Sequence, residues 1–115
     1  MIIAVDFDGT LVENDFPNIG KAISITQDFI RERIKEGDKV ILWTCRTGKY
    51  LDEAIRYCKS IGIIFDAVND NLPETADEYG DNPRKVFADI YLDDRNATIV
   101  NDLGMTLFRG RLVGI

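Results

Sequence analysis

Continuous apolar runs that alternate with amphipathic segments are the feature that most limits what this chain can fold into. Each run is apolar at nearly every position, as in strands that are buried on both faces of a sheet. Parallel strands joined by helices in right-handed crossovers produce this pattern. The four runs are residues 2–5, 40–43, 63–68 and 88–92.

The segments between the first three runs have helical spacing. Apolar residues recur at intervals typical of one helix face in residues 19–34 and again in 51–61, and a glycine that can end a helix follows each segment. We expect Asn18 to cap the first helix. Further predicted elements are a helix within residues 74–79 and a fifth strand at 105–108. The predicted fold class is α/β, a three-layer Rossmann-like domain with a central parallel sheet and helices on both faces.

Composition limits the organisation and setting of the chain. A length of 115 residues without a repeat or linker predicts one domain, residues 1–115. No apolar run approaches the ~20 residues that span a bilayer, and the N-terminus lacks the regions of a signal peptide. Two cysteines outside any metal-binding motif predict a reducing, cytoplasmic location. The net charge of −6 disfavours binding to nucleic acid, except at a terminal phosphate.

The chain contains no histidine, which excludes several classes of catalytic site. A Ser-His-Asp triad, a Cys-His pair and a His-ligated zinc site all need that residue. Two cysteines also cannot form a four-cysteine zinc cluster. We therefore expect any chemistry to depend on carboxylates, together with a cation that prefers oxygen ligands.

Acidic and hydroxyl residues follow the predicted strands at the edge where parallel sheets bind ligands, beyond the carboxyl ends. Asp6 and Asp8 come directly after the first strand, and Thr44 follows the second. The fourth strand is followed by Asp93 and Asp94. Clustered carboxylates repel one another unless a cation lies among them, and Mg²⁺ suits such ligands while leaving positions for water and phosphate.

These residues resemble the motifs of the haloacid dehalogenase-like (HAD) phosphohydrolases. Residues 6–10, with the sequence DFDGT, are similar to the first motif of that superfamily. Thr44 is similar to the second motif, and Asp93 with Asp94 to the fourth. The resemblance covers the chain from residue 2 to about residue 95, and it implies a minimal HAD-like core without a cap domain.

The resemblance implies a Mg²⁺-dependent phosphatase that forms an aspartyl-phosphate intermediate, acting on a small phosphorylated metabolite. Asp6 would be the nucleophile, and Asp8 would protonate the leaving alkoxide and then activate water. Asp6, the backbone carbonyl of Asp8 and the Asp94 carboxylate would hold the cation, with Asp93 ordering its surroundings. Thr44 would donate a hydrogen bond to a phosphate oxygen.

Five further residues are interpreted as substrate-binding. Gly9 and Thr10 complete the first motif, and Cys45 and Arg46 belong to the loop after the second strand. Arg46 and Arg95 resemble arginines that touch the substrate in the phosphatase domain of polynucleotide kinase-phosphatases. An ordinary surface or ion-pair role is the alternative for both arginines.

The third motif of the superfamily, a Lys that balances the charge of the phosphorylated site, has no direct match. Lys85 is the candidate, but eight extended residues would place it ~26 Å from Asp93. It can serve only if the chain at 85–88 bends back, and otherwise it is a solvated surface lysine. Arg46 and Lys49 are the alternative sources of positive charge.

The loops around the site are short, so we expect an open site. The segment 10–18, here called the flap, is too short for a cap, and the acidic loop 69–84 could be a small lid or a disordered connection. An open site favours a protruding substrate or a second subunit that covers it.

Three other functions compete with a metabolite phosphatase. The two arginines favour a phosphatase for nucleotide or polynucleotide ends. A phosphoacceptor receiver domain, which does not turn over, shares the length and the Asp-plus-Mg²⁺ site but places its acids differently. A relative that only binds phosphate is the third alternative.

Overall fold

The computed structural model contains the predicted parallel sheet. The structure describes residues 1–95 and, beyond them, the backbone of three further strands. The strands are β1 (Ile2–Val5), β2 (Lys39–Leu42), β3 (Ala67–Val68), β4 (Ile90–Leu92), β5 (Ala97–Ile99), β6 (Met105–Phe108) and β7 (Arg111–Gly114). The helices are α1 (Ser24–Lys35), α2 (Gly48–Ser60) and α3 (Pro73–Tyr79).

The first four strands form one sheet in the order β3-β2-β1-β4, and every pairing in it is parallel. The predicted α/β fold class is confirmed.

Apolar side chains cover this sheet on both faces. On one face, Ile3 of β1 packs in a buried cluster with Ile30 of α1 and Ala54 of α2. On the other face, Ala4 of β1 packs with Leu72, the residue before α3. Successive side chains of a strand point to opposite faces, so one short strand supports both clusters. The result is a three-layer arrangement, and residues 1–95 contain no inserted cap domain.

The loop 69–84 packs against the second face of the sheet, and a role as a small lid stays a prediction. Its anchor is the buried Asn71, whose Nδ2 donates to the carbonyl of Pro83 (3.0 Å) and to Oδ1 of Asn82 (2.9 Å). The Oδ1 of Asn71 accepts from the N–H of Phe87 (2.6 Å). Together with Leu72, these bonds make the loop and α3 part of the layer that covers the second face of the sheet.

The third strand is shorter than the prediction of residues 63–68. Only Ala67–Val68 pairs with β2. Ile63 is fully buried, and its N–H donates to the carbonyl of Cys58 (2.8 Å), at the end of α2. The apolar run therefore begins with a buried turn after the helix. The predicted strand was too long because burial alone does not distinguish such a turn from a strand.

The prediction that Asn18 caps the first helix is wrong. The helix starts at Ser24, after Ile23, which makes no side-chain capping bond. Instead, the N–H of Ile23 donates to the carbonyl of Leu11 (3.0 Å), so the chain before the helix runs back beside the start of the flap. Both predicted helix stops are confirmed, since Gly37 and Gly62 follow the ends of α1 and α2.

The predicted fifth strand exists as β6 but is not part of the parallel sheet. It pairs antiparallel with β5 and β7 in a separate three-stranded sheet. One domain for the whole chain stays a prediction. No helix within the described residues is long and apolar enough to cross a membrane, and a cytoplasmic location stays a prediction.

Candidate active site

The carboxyl ends of the strands form the floor of the candidate site. The hydrogen-bond ladder continues past the strands, with the Asp6 N–H donating to the carbonyl of Leu92 and the Trp43 N–H to that of Val5 (both 2.9 Å). After β1 the chain crosses one face through α1 to β2, and it later returns across the other face to β4. Ligands of open α/β sheets bind at such a reversal of strand order.

A cavity of about 720 Å³ opens at this edge. That volume lies within the range of roughly 300–1,000 Å³ that is typical of small-molecule sites. Gly9, Thr10 and Lys85 are not among the residues that line it. The predicted site residues that do line it are Asp6, Asp8, Thr44, Cys45, Arg46, Asp93, Asp94 and Arg95.

Three of the acids form a tight cluster in this cavity. Carboxylate oxygens of Asp6, Asp93 and Asp94 all lie within 4.8 Å of one another. Burial is the largest of the effects that together raise the pKa of Asp6 from 3.8 to about 7. The neighbouring charges of Asp93, Asp94 and Asp8 act in the same direction, and a hydrogen bond with the Phe7 N–H acts against them.

The donor set fits a hard divalent cation. All three groups offer carboxylate oxygens, the type of ligand that Mg²⁺ prefers in proteins. Its charge would relieve the repulsion that disfavours ionisation of Asp6. The Asp8 carboxylate does not belong to this cluster, and the metal-binding role of its backbone carbonyl stays a prediction.

Gly9 makes room for one of the clustered acids. Its φ of +85° lies in the left-handed region, and a Cβ built on it would lie 2.5 Å from Oδ2 of Asp94. The glycine of the DFDGT motif therefore lets the backbone approach Asp94 closely. Thr10 is buried, and among the described residues its hydroxyl has no hydrogen-bond partner. Substrate contact by either residue stays a prediction.

The Asp8 carboxylate faces Arg46 instead of the other acids. Nε of Arg46 donates to Oδ2 (2.8 Å) and Nη2 to Oδ1 (2.7 Å), which is a bidentate pair. Nη1 also donates to the carbonyls of Pro17 (3.3 Å) and Tyr50 (3.2 Å), and Nη2 to that of Asn18 (2.8 Å). Every one of the five guanidinium N–H groups is therefore used within the protein. This arrangement leaves no guanidinium donor for a phosphate and matches the ion-pair alternative, and substrate contact by Arg46 stays a prediction.

Arg46 is only 2% exposed and remains charged in this environment. The hydrogen-bonded Asp8 carboxylate raises the pKa of Arg46 by more than burial lowers it. The guanidinium carbon lies 4.9 Å from the ring centre of Phe7 and 5.1 Å from that of Phe16, within the range of cation–π attraction. Arg46 is thus fixed by hydrogen bonds and by aromatic rings.

Thr44 lies in the cavity with its hydroxyl partly committed. Its Oγ1 accepts from the N–H of Arg46 (3.1 Å), and its own N–H donates to Oδ1 of Asn69 (2.8 Å). The hydroxyl proton is not used in that bond and can be donated into the cavity. The neighbouring Cys45 is an exposed free thiol.

The chain at Lys85 does bend back, as a charge-balancing role requires. The hydroxyl of Tyr91 donates to the carbonyl of Val86 (2.6 Å) and accepts from the N–H of Ala88 (3.2 Å), which folds this segment beside β4. Lys85 and Asp93 consequently line one smaller cavity of about 280 Å³. Because β4 begins only at Ile90, the extended distance predicted from the sequence does not apply.

The other candidate bases are placed differently. Arg95 is exposed and lines the main cavity, and its N–H donates to Oδ1 of Asp93 (2.8 Å). Lys49 is exposed, with Nζ lying 5.1 Å from the ring centre of Tyr50. Lys85 shares the smaller cavity with Asp93, a member of the acid cluster.

Four residues that line the main cavity were not predicted from the sequence. Trp43 and Asn69 directly follow β2 and β3, so the rule that identified the acids could have found them. Asn14 and Phe16 lie on the flap, and no periodic pattern indicates where their side chains point.

Comparison with known proteins identifies a relative. The chain is similar to a structurally characterised conserved protein coded by a locus of Bacteroides thetaiotaomicron, with 44% sequence identity and a TM-score of 0.74. The similarity covers 84% of this chain and 77% of that protein. No protein-family model and no curated protein matches the sequence.

Proposed function

The chain belongs to the same family as this conserved Bacteroides thetaiotaomicron protein, and we propose that it is a Mg²⁺-dependent phosphomonoester hydrolase of the HAD-like type. The observation that carries this proposal is the cluster of Asp6, Asp93 and Asp94 at the reversal of strand order. Asp8, two residues after Asp6, lines the same cavity, but its carboxylate is hydrogen-bonded to Arg46. Two carboxylates in two environments are what a nucleophile and a separate acid–base group need.

Asp6 is the nucleophile of the proposed reaction. Its carboxylate oxygen forms a bond to phosphorus as the bond from phosphorus to the ester oxygen breaks, which leaves an aspartyl phosphate. Asp8 gives a proton to the departing alkoxide. In the second half, Asp8 takes a proton from water as the water attacks phosphorus, and this step releases inorganic phosphate and restores the Asp6 carboxylate.

The other residues bind and balance charge. Asp6, Asp93 and Asp94 would hold the cation, which when bound supplies positive charge that keeps Asp6 ionised and offsets the charge of the phosphate. The Thr44 hydroxyl donates its remaining proton to a phosphate oxygen. Lys85, which lines the smaller cavity together with Asp93, contributes positive charge to the phosphorylated state. The volume of the cavity is compatible with a small phosphorylated metabolite.

Phosphate release from 4-nitrophenyl phosphate in the presence of Mg²⁺ tests this function. Wild-type protein should turn over repeatedly, and Asp6→Asn should lose the activity while remaining folded by circular dichroism. Asp52→Asn, which changes an exposed carboxylate on α2, is the matched control and should be fully active. Asp6→Asn protein with undiminished activity would exclude the proposed nucleophile, and activity that resists EDTA would exclude the cation.

Phosphate release beyond one equivalent per protein also separates an enzyme from a receiver domain or a phosphate-binding relative. Both of those alternatives would stop at one equivalent or fewer.

A phosphatase for nucleotide or polynucleotide ends is the second candidate. The aromatic side chains of Phe16 and Trp43 line the cavity and offer apolar surfaces to a base. The burial of Arg46 weakens the support that one of the two arginines gave to this alternative. Comparing kcat/KM for sugar phosphates, nucleoside monophosphates and 3′-phosphorylated oligonucleotides distinguishes the two substrate classes.

A further inference from the structure

The proposed reaction does not explain why Arg46 is buried. Its side chain is 1% exposed and is paired with Asp8, itself 18% exposed. A buried ion pair is stable only when its hydrogen bonds are satisfied, and apolar residues of similar volume often stabilise a protein as well or better. A fully satisfied guanidinium beside a catalytic carboxylate therefore calls for an explanation other than stability.

The contacts of Arg46 connect three separate parts of the chain. Asp8 follows β1, the carbonyls of Pro17 and Asn18 belong to the flap, and the carbonyl of Tyr50 lies in the first turn of α2. The Phe16 ring covers the guanidinium and meets the Tyr50 ring at a centroid distance of 5.5 Å. One side chain thus links the acid–base residue to the segment that borders the cavity.

We propose that Arg46 is a positioning residue that acts through Asp8, holding its carboxylate in the orientation that serves the leaving group and fixing flap residues 16–18 beside it. This inference rests on the proposed phosphohydrolase function, because only that function gives Asp8 a proton to transfer. A planar guanidinium fixes both carboxylate oxygens in one plane, whereas an ammonium group cannot. Each Asp8 oxygen accepts one bond from Arg46 and keeps a lone pair for the proton.

Leaving-group dependence tests this role, since protonation matters most for a poor leaving group. Arg46→Lys is compared with wild type on glycerol 2-phosphate, an alkyl ester, and on 4-nitrophenyl phosphate, an activated aryl ester. General acid catalysis contributes about 10²–10⁴-fold. We expect Arg46→Lys to reduce kcat/KM about 30- to 100-fold on the alkyl ester and less than about 3-fold on the aryl ester.

A double-variant cycle shows whether the effect passes through Asp8. In the Asp8→Asn background, Arg46→Lys should change kcat/KM by less than about 2-fold on either substrate, because the carboxylate to be positioned is absent. Arg31→Lys is the control, since Arg31 bonds the Ile61 carbonyl and Asp28, and none of these residues lines the main cavity. Its kcat/KM should match wild type on both esters.

Phe16→Ala keeps the test decisive if Arg46→Lys does not fold. Phe16 is 55% exposed, so its truncation spares the core, yet it removes the ring that covers the guanidinium. The decrease in kcat/KM should again be larger on the alkyl ester than on the aryl ester, with the two decreases differing by about 3- to 10-fold.

If wild type is active but Arg46→Lys loses the same factor in kcat/KM on both esters, the positioning role is overturned and the phosphatase function stands. The positioning role is also overturned if Arg46→Lys lowers kcat/KM by the same factor in the Asp8→Asn background as in wild type. A wild-type protein inactive on both esters would overturn the function and this role together.

Discussion

The stability of the metal-free protein should fall as the pH rises from about 4 to about 7, and Asp6 should be the main cause. Burial and the neighbouring acids raise the folded-state pKa of Asp6 from 3.8 to about 7. Between these values the folded protein holds a proton on Asp6 that the unfolded chain has released. Because the folded state then binds more protons, the free energy of unfolding decreases with increasing pH. The decrease is complete above about pH 7, where both states are ionised.

The pKa shift sets the size of this effect. The difference between about 7 and 3.8, at about 1.4 kcal/mol per pH unit, gives a maximum of about 4 kcal/mol. Asp6 is only partly buried, so solvent screening lowers the expected contribution to about 2 kcal/mol. That amount is a large fraction of the stability of a small domain.

Urea unfolding followed by circular dichroism, at pH 4 and pH 8 with EDTA present, measures the contribution. Asp6→Asn removes the ionisable group, so its stability at pH 8 should exceed that of wild type by about 2 kcal/mol. Asp52→Asn should follow the wild-type profile, because that carboxylate is exposed on α2.

Adding Mg²⁺ at pH 8 should raise the stability of wild type and of Asp52→Asn more than that of Asp6→Asn. Parallel pH profiles for wild type and Asp6→Asn, within about 0.5 kcal/mol, would refute the reasoning that burial and repulsion at Asp6 destabilise the metal-free fold.

Three further predictions concern residues around the site. Gly9→Ala should weaken Mg²⁺ binding about 10- to 100-fold in calorimetric titration, because its Cβ would displace Asp94; unchanged affinity would contradict the close approach. A thiol reagent should label the exposed Cys45 rapidly and Cys58 only after unfolding, since burial raises the pKa of Cys58 to about 12; equal rates measured by mass spectrometry would contradict this. Asn71→Ala should lower the urea-unfolding free energy by about 2–3 kcal/mol, because its buried bonds hold the loop after β3; a loss below about 0.5 kcal/mol would show that the loop is held by other contacts.

The sheet and its acids could be predicted from the sequence because both depend on local patterns. Continuous apolar runs identify buried strands, and the topology of parallel sheets brings their carboxyl ends together. Asp6 and Asp93 could therefore be placed at one edge from the sequence, and their carboxylates do meet in one cluster. Their roles in catalysis stay predictions.

The arrangement of Arg46 could not be predicted in this way. Its partners come from three segments, and two of them are backbone carbonyls of a flap whose course no periodic pattern encodes. A substrate-binding arginine and a buried positioning arginine have the same spacing from Thr44. The position of Lys85 was uncertain for a related reason, since it depends on bonds that the Tyr91 hydroxyl makes with the backbone of its own segment.

The strand order also dictates when the cluster can exist during synthesis. Asp6 leaves the ribosome before Asp93, which follows 87 residues later and reaches Asp6 only when β4 docks beside β1. At roughly 5–20 residues per second, the chain spends several seconds without the second half of its ligand set. Any cation that these three carboxylates hold together is captured only after the longest-range pairing of the parallel sheet has formed. Occupancy of the cluster would then report that β4 has docked beside β1.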